Sequence, residues 1–374
     1  MNAITKAALI FNAAKIPFEF FNKLCDSYGP DELLISESIL HELGMNDSQC
    51  QRVSSLIIKD SWPEQELERT EKAEARFIHA RDIDYPAKLR DLRNPPIGLY
   101  VKGNADISLP SVAVVGTRKP SDYGRVTANR IGRELAKHGI ITISGGARGI
   151  DSEGHRGTLA EDGITIAVFG TGIDKIYPSE HKDLFNRILY RGALISEYPF
   201  NINGEAWHFP YRNRIIAAMS SRIIVVESPE GGGAINTAEH GFKLGRDVYA
   251  VPGRITDKTF KGSNELMTRG AKILFSIEEF MNDFALKHMQ LNLGFDDHDD
   301  DEGHESEGTK HDEAIELDDD EKLIYSLVQT HNEITADILV EESKLDLQTV
   351  QFALLSLVSE GLVKESSGRY SSFS

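Results

Sequence analysis

Seven short apolar runs punctuate the chain between residues 112 and 275: Val112–Val115, Ile140–Ile143, Ile164–Phe169, Ala193–Ile195, Ile223–Val226, Val248–Val251 and Ile273–Phe275. Each is too short for a helix and is apolar throughout rather than at alternate positions, the pattern of a strand covered on both faces. Segments long enough for helices separate them, so the spacing predicts a doubly wound, mostly parallel sheet with right-handed crossovers and a helical layer on either side. In such a sheet, ligands sit outside the C-terminal strand ends, where loops and helix N-termini offer free N–H groups to anions.

The flanks differ from this core. Residues 1–75 carry helical periodicity with start signals such as Asn46-Asp47-Ser48, and read as a small helical domain. Turn-rich segments around Tyr85-Pro86 and Asn94-Pro95-Pro96 lead into the sheet. From Asp296 to Glu321, 15 Asp or Glu oppose one Lys, a local charge of −14 within a net charge of −18. So few apolar residues accompany that charge that a flexible acidic linker over 285–320 is expected. Beyond it, three short amphipathic helices and a hairpin near Gly361 to Tyr370 suggest a winged-helix domain over 321–374, suited to contact with either DNA or protein.

Location decides what the acidity means. Between Pro110 and Phe280, 22 Lys or Arg outnumber 19 Asp or Glu, so the core is mildly basic and can carry a cationic patch for a phosphate backbone. No run of about 18 apolar residues is present, and the first residues lack the pattern of a secretion signal, so no membrane role is expected. Cys25 and Cys50 are the only cysteines. They supply neither a metal-ligand set nor a reason to expect a disulfide, which fits a cytoplasmic protein.

Every strand exit can meet an anion. The first is Gly116-Thr117-Arg118-Lys119, and the second is Ser144-Gly145-Gly146-Ala147-Arg148-Gly149. The third, running from Gly170 to Pro178, brings Lys175 and Tyr177. Further on, Trp207-His208-Phe209-Pro210-Tyr211-Arg212-Asn213-Arg214 sets aromatics beside paired arginines, and Gly231-Gly232-Gly233 precedes Thr237 at another helix start. Phosphate-directed cations together with aromatics that stack on bases are the ingredients of sequence-tolerant single-strand binding. Read one at a time, these residues have ordinary structural explanations: Arg212 or Arg214 in an internal ion pair, Trp207 and Phe209 in the core, the glycines in turns.

Enzyme signatures are missing. Gly170 and Gly172 begin a dinucleotide-binding pattern, but Lys175 stands at its third glycine, and no Walker A sequence occurs. His155, His181 and His208 lack metal-ligand spacing or a companion nucleophile. Neither a catalytic residue, a metal nor a cofactor is therefore expected.

Together these motifs resemble the DNA-processing A (DprA/Smf) family: Val115 to Arg118, Ser121-Asp122-Tyr123-Gly124, Ser144 to Asp151, Arg212-Asn213-Arg214-Ile215-Ile216 and Val251-Pro252-Gly253. Tyr85-Pro86, Leu99 to Asn104, Gly172-Ile173-Asp174, Tyr177-Pro178 and Gly262 to Leu266 extend the resemblance over residues 80 to 275. It implies a Rossmann-like domain over 76–284 that binds single-stranded DNA and forms a homodimer, with phosphate contacts at Arg118 and Lys175. It further implies loading of the RecA recombinase onto incoming strands during natural transformation. The N-terminal helices and the winged helix resemble extensions of that family, the former as a SAM-like or helix-hairpin-helix-like unit. The DNA-binding set expected from residues and resemblance together is Gly116, Thr117, Arg118, Ser144, Gly145, Gly146, Arg148, Lys175, Tyr177, Arg212, Asn213, Arg214, Gly232, Gly233 and Thr237. The competing expectation is a nucleotide phosphoribohydrolase of the lysine-decarboxylase-like fold relatives. Pro229 to Thr237 with Glu239 is a stretched echo of that loop and its catalytic glutamate.

Overall fold

The computed structural model describes residues 2–28, 35–58, 61–107, 109–284, 317–331, 334–359, 362–366 and 369–372. Most of the expected linker lies outside them. The chain divides into two compact units, one built on residues up to Phe275 and one from Ser276 onward.

In the first unit the seven apolar runs become β3 (Ser111–Val115), β4 (Ile141–Ser144), β5 (Thr165–Phe169), β6 (Ala193–Ser196), β7 (Arg222–Val225), β8 (Asp247–Ala250) and β9 (Lys272–Ile273). All residues of β3, β4, β5, β6 and β7 are buried, which is why these strands show no alternation in sequence. Two more strands, β1 (Ala75–His79) and β2 (Gly98–Gly103), extend the sheet antiparallel beyond β6. The order is β1-β2-β6-β5-β4-β3-β7-β8-β9, parallel from β6 to β9. Successive strands step outward from β3 to β6, and the chain then returns to place β7 on the other side of β3, with Val115 beside Val225. The gap between the exits of β3 and β7 is the topological switch point.

Helices α6 (Asp122–Lys137), α7 (Ile150–Ala160) and α8 (Lys182–Arg191) cover one face, and α9 (His208–Met219), α10 (Gly233–Lys243) and α11 (Lys261–Thr268) cover the other. Five helices precede the sheet: α1 (Ala3–Ala13), α2 (Phe18–Ser27), α3 (Glu37–Glu42), α4 (Asp47–Ile58) and α5 (Trp62–Lys72). The sequence led us to expect a separate helical domain, yet α1 is buried from Ala7 to Asn12 and shares a core with the sheet. Asn12 fixes it there, donating to the Glu197 carbonyl at 2.8 Å and accepting the Gly98 N–H at 3.3 Å. Buried Glu66 of α5 likewise accepts the Phe200 N–H at 2.7 Å. An apolar helix cannot cover itself, so α1 and α5 pack on the sheet and the other N-terminal helices pack against them within the same unit.

After a helix over 277–284 (α12), the second unit contains α13 (Asp319–Thr330), β10 (Ile334–Thr335), α14 (Ala336–Ser343), α15 (Leu347–Ser359), β11 (Val363–Ser366) and β12 (Arg369–Ser372). Asp318 and Glu321 form a capping box at the start of α13. The strands pair antiparallel in the order β10-β12-β11, over a small core that includes Ile324, Val328, Leu339, Leu354 and Leu357. The three helices and paired strands stand in the order read from the sequence.

Candidate nucleic-acid interface

The strand exits differ in what remains open to a ligand. After β3, Arg118 is exposed, and its guanidinium lies 5.5 Å from the centre of the Phe209 ring at the start of α9. Phe209 is half-buried and lies 5.2 Å from the ring of Tyr177, which is 46% exposed. One helical turn beyond Phe209, on the same face, Asn213 donates to the Gly233 carbonyl at 3.2 Å and meets Asn236 at 3.3 Å. The rim thus runs from Tyr177 through Phe209 and Arg118 to the head of α10, where Gly232 caps the helix without a side-chain hydrogen bond. Two further cations border it. Arg148 is exposed and paired with Glu180, and Lys175 lies 3.3 Å from both Asp174 and Asn201. A cation–aromatic rim of this kind can neutralise phosphates and offer ring faces to bases.

Behind the rim, several expected contacts turn inward. Arg212 is buried and donates to the carbonyls of Gly145, at 3.1 Å, and Val168. Burial pushes its pKa down to about 10, and Asp151 opposes that fall. Asp151 itself accepts the N–H groups of Gly145 at 3.2 Å and Ala147 at 3.3 Å, and burial raises its pKa against the pull of Arg212. A Cβ at Gly145 would come within 2.8 Å of both Asp151 and Arg212, so glycine is needed where loop, acid and base converge. Arg214 is also buried, donating to Glu197 at 2.5 Å beneath Tyr211. Burial disfavours its charge, but Glu197 overrides that and leaves its pKa raised. The Ser144 hydroxyl donates to the Val114 carbonyl at 2.7 Å, and Gly146 and Thr237 are buried as well.

Residues 76–285 match the family described as DNA recombination-mediator protein A. The chain belongs to that family. Its relatives include a Smf protein of Synechocystis, 37% identical over 59% of this chain and 56% of that protein. A DNA processing protein DprA of Bacillus subtilis is 36% identical over 56% of this chain and 72% of that one. The chain therefore spans little more than half the length of the Synechocystis relative. Among solved structures, the DprA protein of Streptococcus pneumoniae superimposes with a TM-score of 0.65 at 30% identity, over 75% of this chain and 95% of that one. A DNA processing protein A from Helicobacter pylori, described for its single-stranded DNA binding mode, gives 0.52 at 29% identity over 57% and 97%.

In this member of the DNA recombination-mediator protein A family, the expected set divides by exposure. Gly116, Thr117, Arg118, Arg148, Lys175, Tyr177, Asn213, Gly232 and Gly233 are exposed or half-exposed, whereas Ser144, Gly145, Gly146, Arg212, Arg214 and Thr237 are buried. The paired-arginine segment is helical, so Arg212 and Arg214 are carried into the protein while Phe209 and Asn213 stay on the rim. In the segment that echoes the phosphoribohydrolase loop, Glu239 pairs with Arg269 at 2.9 Å on the surface. Sequence reasoning passed over Lys15, whose ammonium group lies 4.1 Å from the Trp207 ring and brings the N-terminal helices to this rim. It also passed over Glu227. The only signal for that residue was an acid directly beyond an apolar run. No helix among the described residues is long and apolar enough to cross a membrane.

Proposed function

We propose that the protein binds single-stranded DNA along the rim formed by Arg118, Phe209 and Tyr177. The observation that carries this reading is the cation–aromatic array itself: a cation lying over one aromatic ring, with a second, exposed ring tilted beside it. Arg118, Arg148 and Lys175 meet phosphates, Tyr177 and Phe209 meet bases, and the positive end of α10, capped by Gly232 without a side-chain hydrogen bond, favours an anion. Family membership and the Helicobacter pylori relative support the same ligand.

On this reading the protein acts in the cytoplasm by binding, without making or breaking a bond. It assembles as a homodimer, loads the RecA recombinase onto the strand, and so serves DNA uptake, natural transformation and recombination. The C-terminal unit, read as a winged helix, docks to DNA or protein.

Fluorescence anisotropy with labelled oligo-dT and a matching duplex, at two salt concentrations, tests the core of the proposal. Preferential binding of the single strand, weakening as salt rises, is the expected result. Equal affinity for the duplex, or indifference to salt, would overturn it.

A further inference from the structure

Glu227 follows β7 at the topological switch point and is 0% exposed. Its two carboxylate oxygens accept the Ser121 N–H at 3.1 and 3.0 Å, and one of them also accepts the Ser121 hydroxyl at 2.8 Å. That hydroxyl in turn accepts the Gly124 N–H at 3.1 Å. Acid, capping hydroxyl and first-turn amide thus form one chain at the head of α6. The main chain of Glu227 takes part as well, its carbonyl accepting the Thr117 N–H at 2.7 Å. Gly124 approaches so closely that a Cβ there would lie 2.0 Å from Oε2.

The head of the helix that follows the first parallel strand is where a doubly wound sheet ordinarily presents its N–H groups to a phosphate. Here the seat is filled by the chain's own carboxylate, the sign of charge that the positive end of a helix favours. The neighbouring exit is built alike, with Asp151 taking the N–H groups of Gly145 and Ala147. Neither crevice can take a phosphate without bringing it against a buried acid.

We propose that Glu227 is a resident substitute for phosphate. It closes the β3/β7 crevice to nucleotides and anchors both ends of the turn that carries Arg118. Held at Thr117 on one side and Ser121 on the other, this turn presents Arg118 over Phe209 before any ligand arrives. Anion contacts are thereby confined to the outer rim, where an extended strand can pass and a single nucleotide finds no pocket. The consequence for specificity rests on the strand-binding reading above. The occupancy of the crevice does not.

The test compares the full-length protein with Glu227→Ala and Glu227→Gln. Thermal unfolding is followed against inorganic phosphate, with sodium chloride at matched ionic strength as control. Glu227→Ala vacates the seat and is expected to gain a phosphate-dependent rise in stability, each tenfold excess over the dissociation constant adding about 1.4 kcal/mol. The wild type and Glu227→Gln, whose seats remain filled, stay flat. If Glu227→Ala is unfolded in phosphate-free buffer, recovery of a cooperative transition on adding phosphate is the same positive result. An alanine variant that ignores phosphate, or a wild type that responds equally, overturns the proposal. A second arm measures oligo-dT binding in a cycle with Arg118→Ala. Glu227→Ala weakens binding several-fold on its own and adds nothing once Arg118 is gone, whereas additive losses would show that Glu227 does not act through Arg118. Should the wild type fail to bind oligo-dT at all, the strand-binding reading falls while the phosphate result stands.

Discussion

The Arg118 guanidinium stands 5.5 Å from the centre of the Phe209 ring, although 91 positions separate the two residues in the chain. Its side chain remains exposed, so the charge is held in place and still faces water. Arg118→Ala is expected to weaken oligo-dT binding by about 1.5–3 kcal/mol, the value of a hydrogen bond to a charged group. The slope of log affinity against log salt should flatten by about 0.7 for the lost phosphate contact. Lys175→Ala should cost less, because its ammonium group already lies 3.3 Å from Asp174. Anisotropy titrations across a salt series measure both.

Phe209 and Tyr177 make a different contribution. If bases stack on these rings, Phe209→Ala or Tyr177→Ala loses about 1–3 kcal/mol of strand affinity and leaves the salt slope unchanged. Tyr177→Phe should bind as the wild type does. The same titrations separate ring from charge, because only the cation variants alter the slope.

Arg214→Ala should act on folding. It leaves Glu197 half-buried without its partner, and breaking such a pair from one side costs about 3–5 kcal/mol. Urea unfolding should show the loss as a lowered midpoint, with the strand affinity of the remaining folded protein retained. A large drop in affinity at unchanged stability would return Arg214 to the binding surface.

His155 sets an acid limit. Its Nδ1 lies 2.7 Å from the Thr165 hydroxyl, and its Nε2 is buried without a partner. Burial, aided by the guanidinium charges of Arg156 and Arg212, pushes its pKa from 6.5 down to about 3. Between those values the unfolded chain takes up a proton that the folded chain refuses. Stability is therefore whole above the unfolded value and falls as the pH drops through this window, by roughly 1.4 kcal/mol per pH unit. Denaturant midpoints measured between neutral and acid pH should show this slope, and His155→Gln should flatten it.

How much could be read beforehand varies with the range of the forces involved. The strands β3 to β9 were legible because short, uninterrupted apolar runs have few other uses, and their exits pointed to the ligand side of the sheet. β1 and β2 were less distinct, since turn-rich segments lie between them and β1 is buried at only two of its five positions. The helices α1 to α5 were legible as helices. Their merger with the sheet was not, because Asn12 and Glu66 find their partners at Glu197 and Phe200, far along the chain.

The sequence by itself determined the α/β class, the cation- and glycine-bearing strand exits and the acidic segment after residue 295. Each is a local matter of hydrophobic period, turn chemistry or charge density. Only the tertiary structure decided which charges face outward. Arg118, Arg212 and Arg214 are alike as letters, yet one lies over an exposed rim and two are spent inside on carbonyls and Glu197. Glu227 reaches Ser121 across 106 positions to fill a seat that the loop sequence advertised as open. The physical reason is that desolvation depends on every neighbour a group meets, and those neighbours arrive from strands that only the fold brings together.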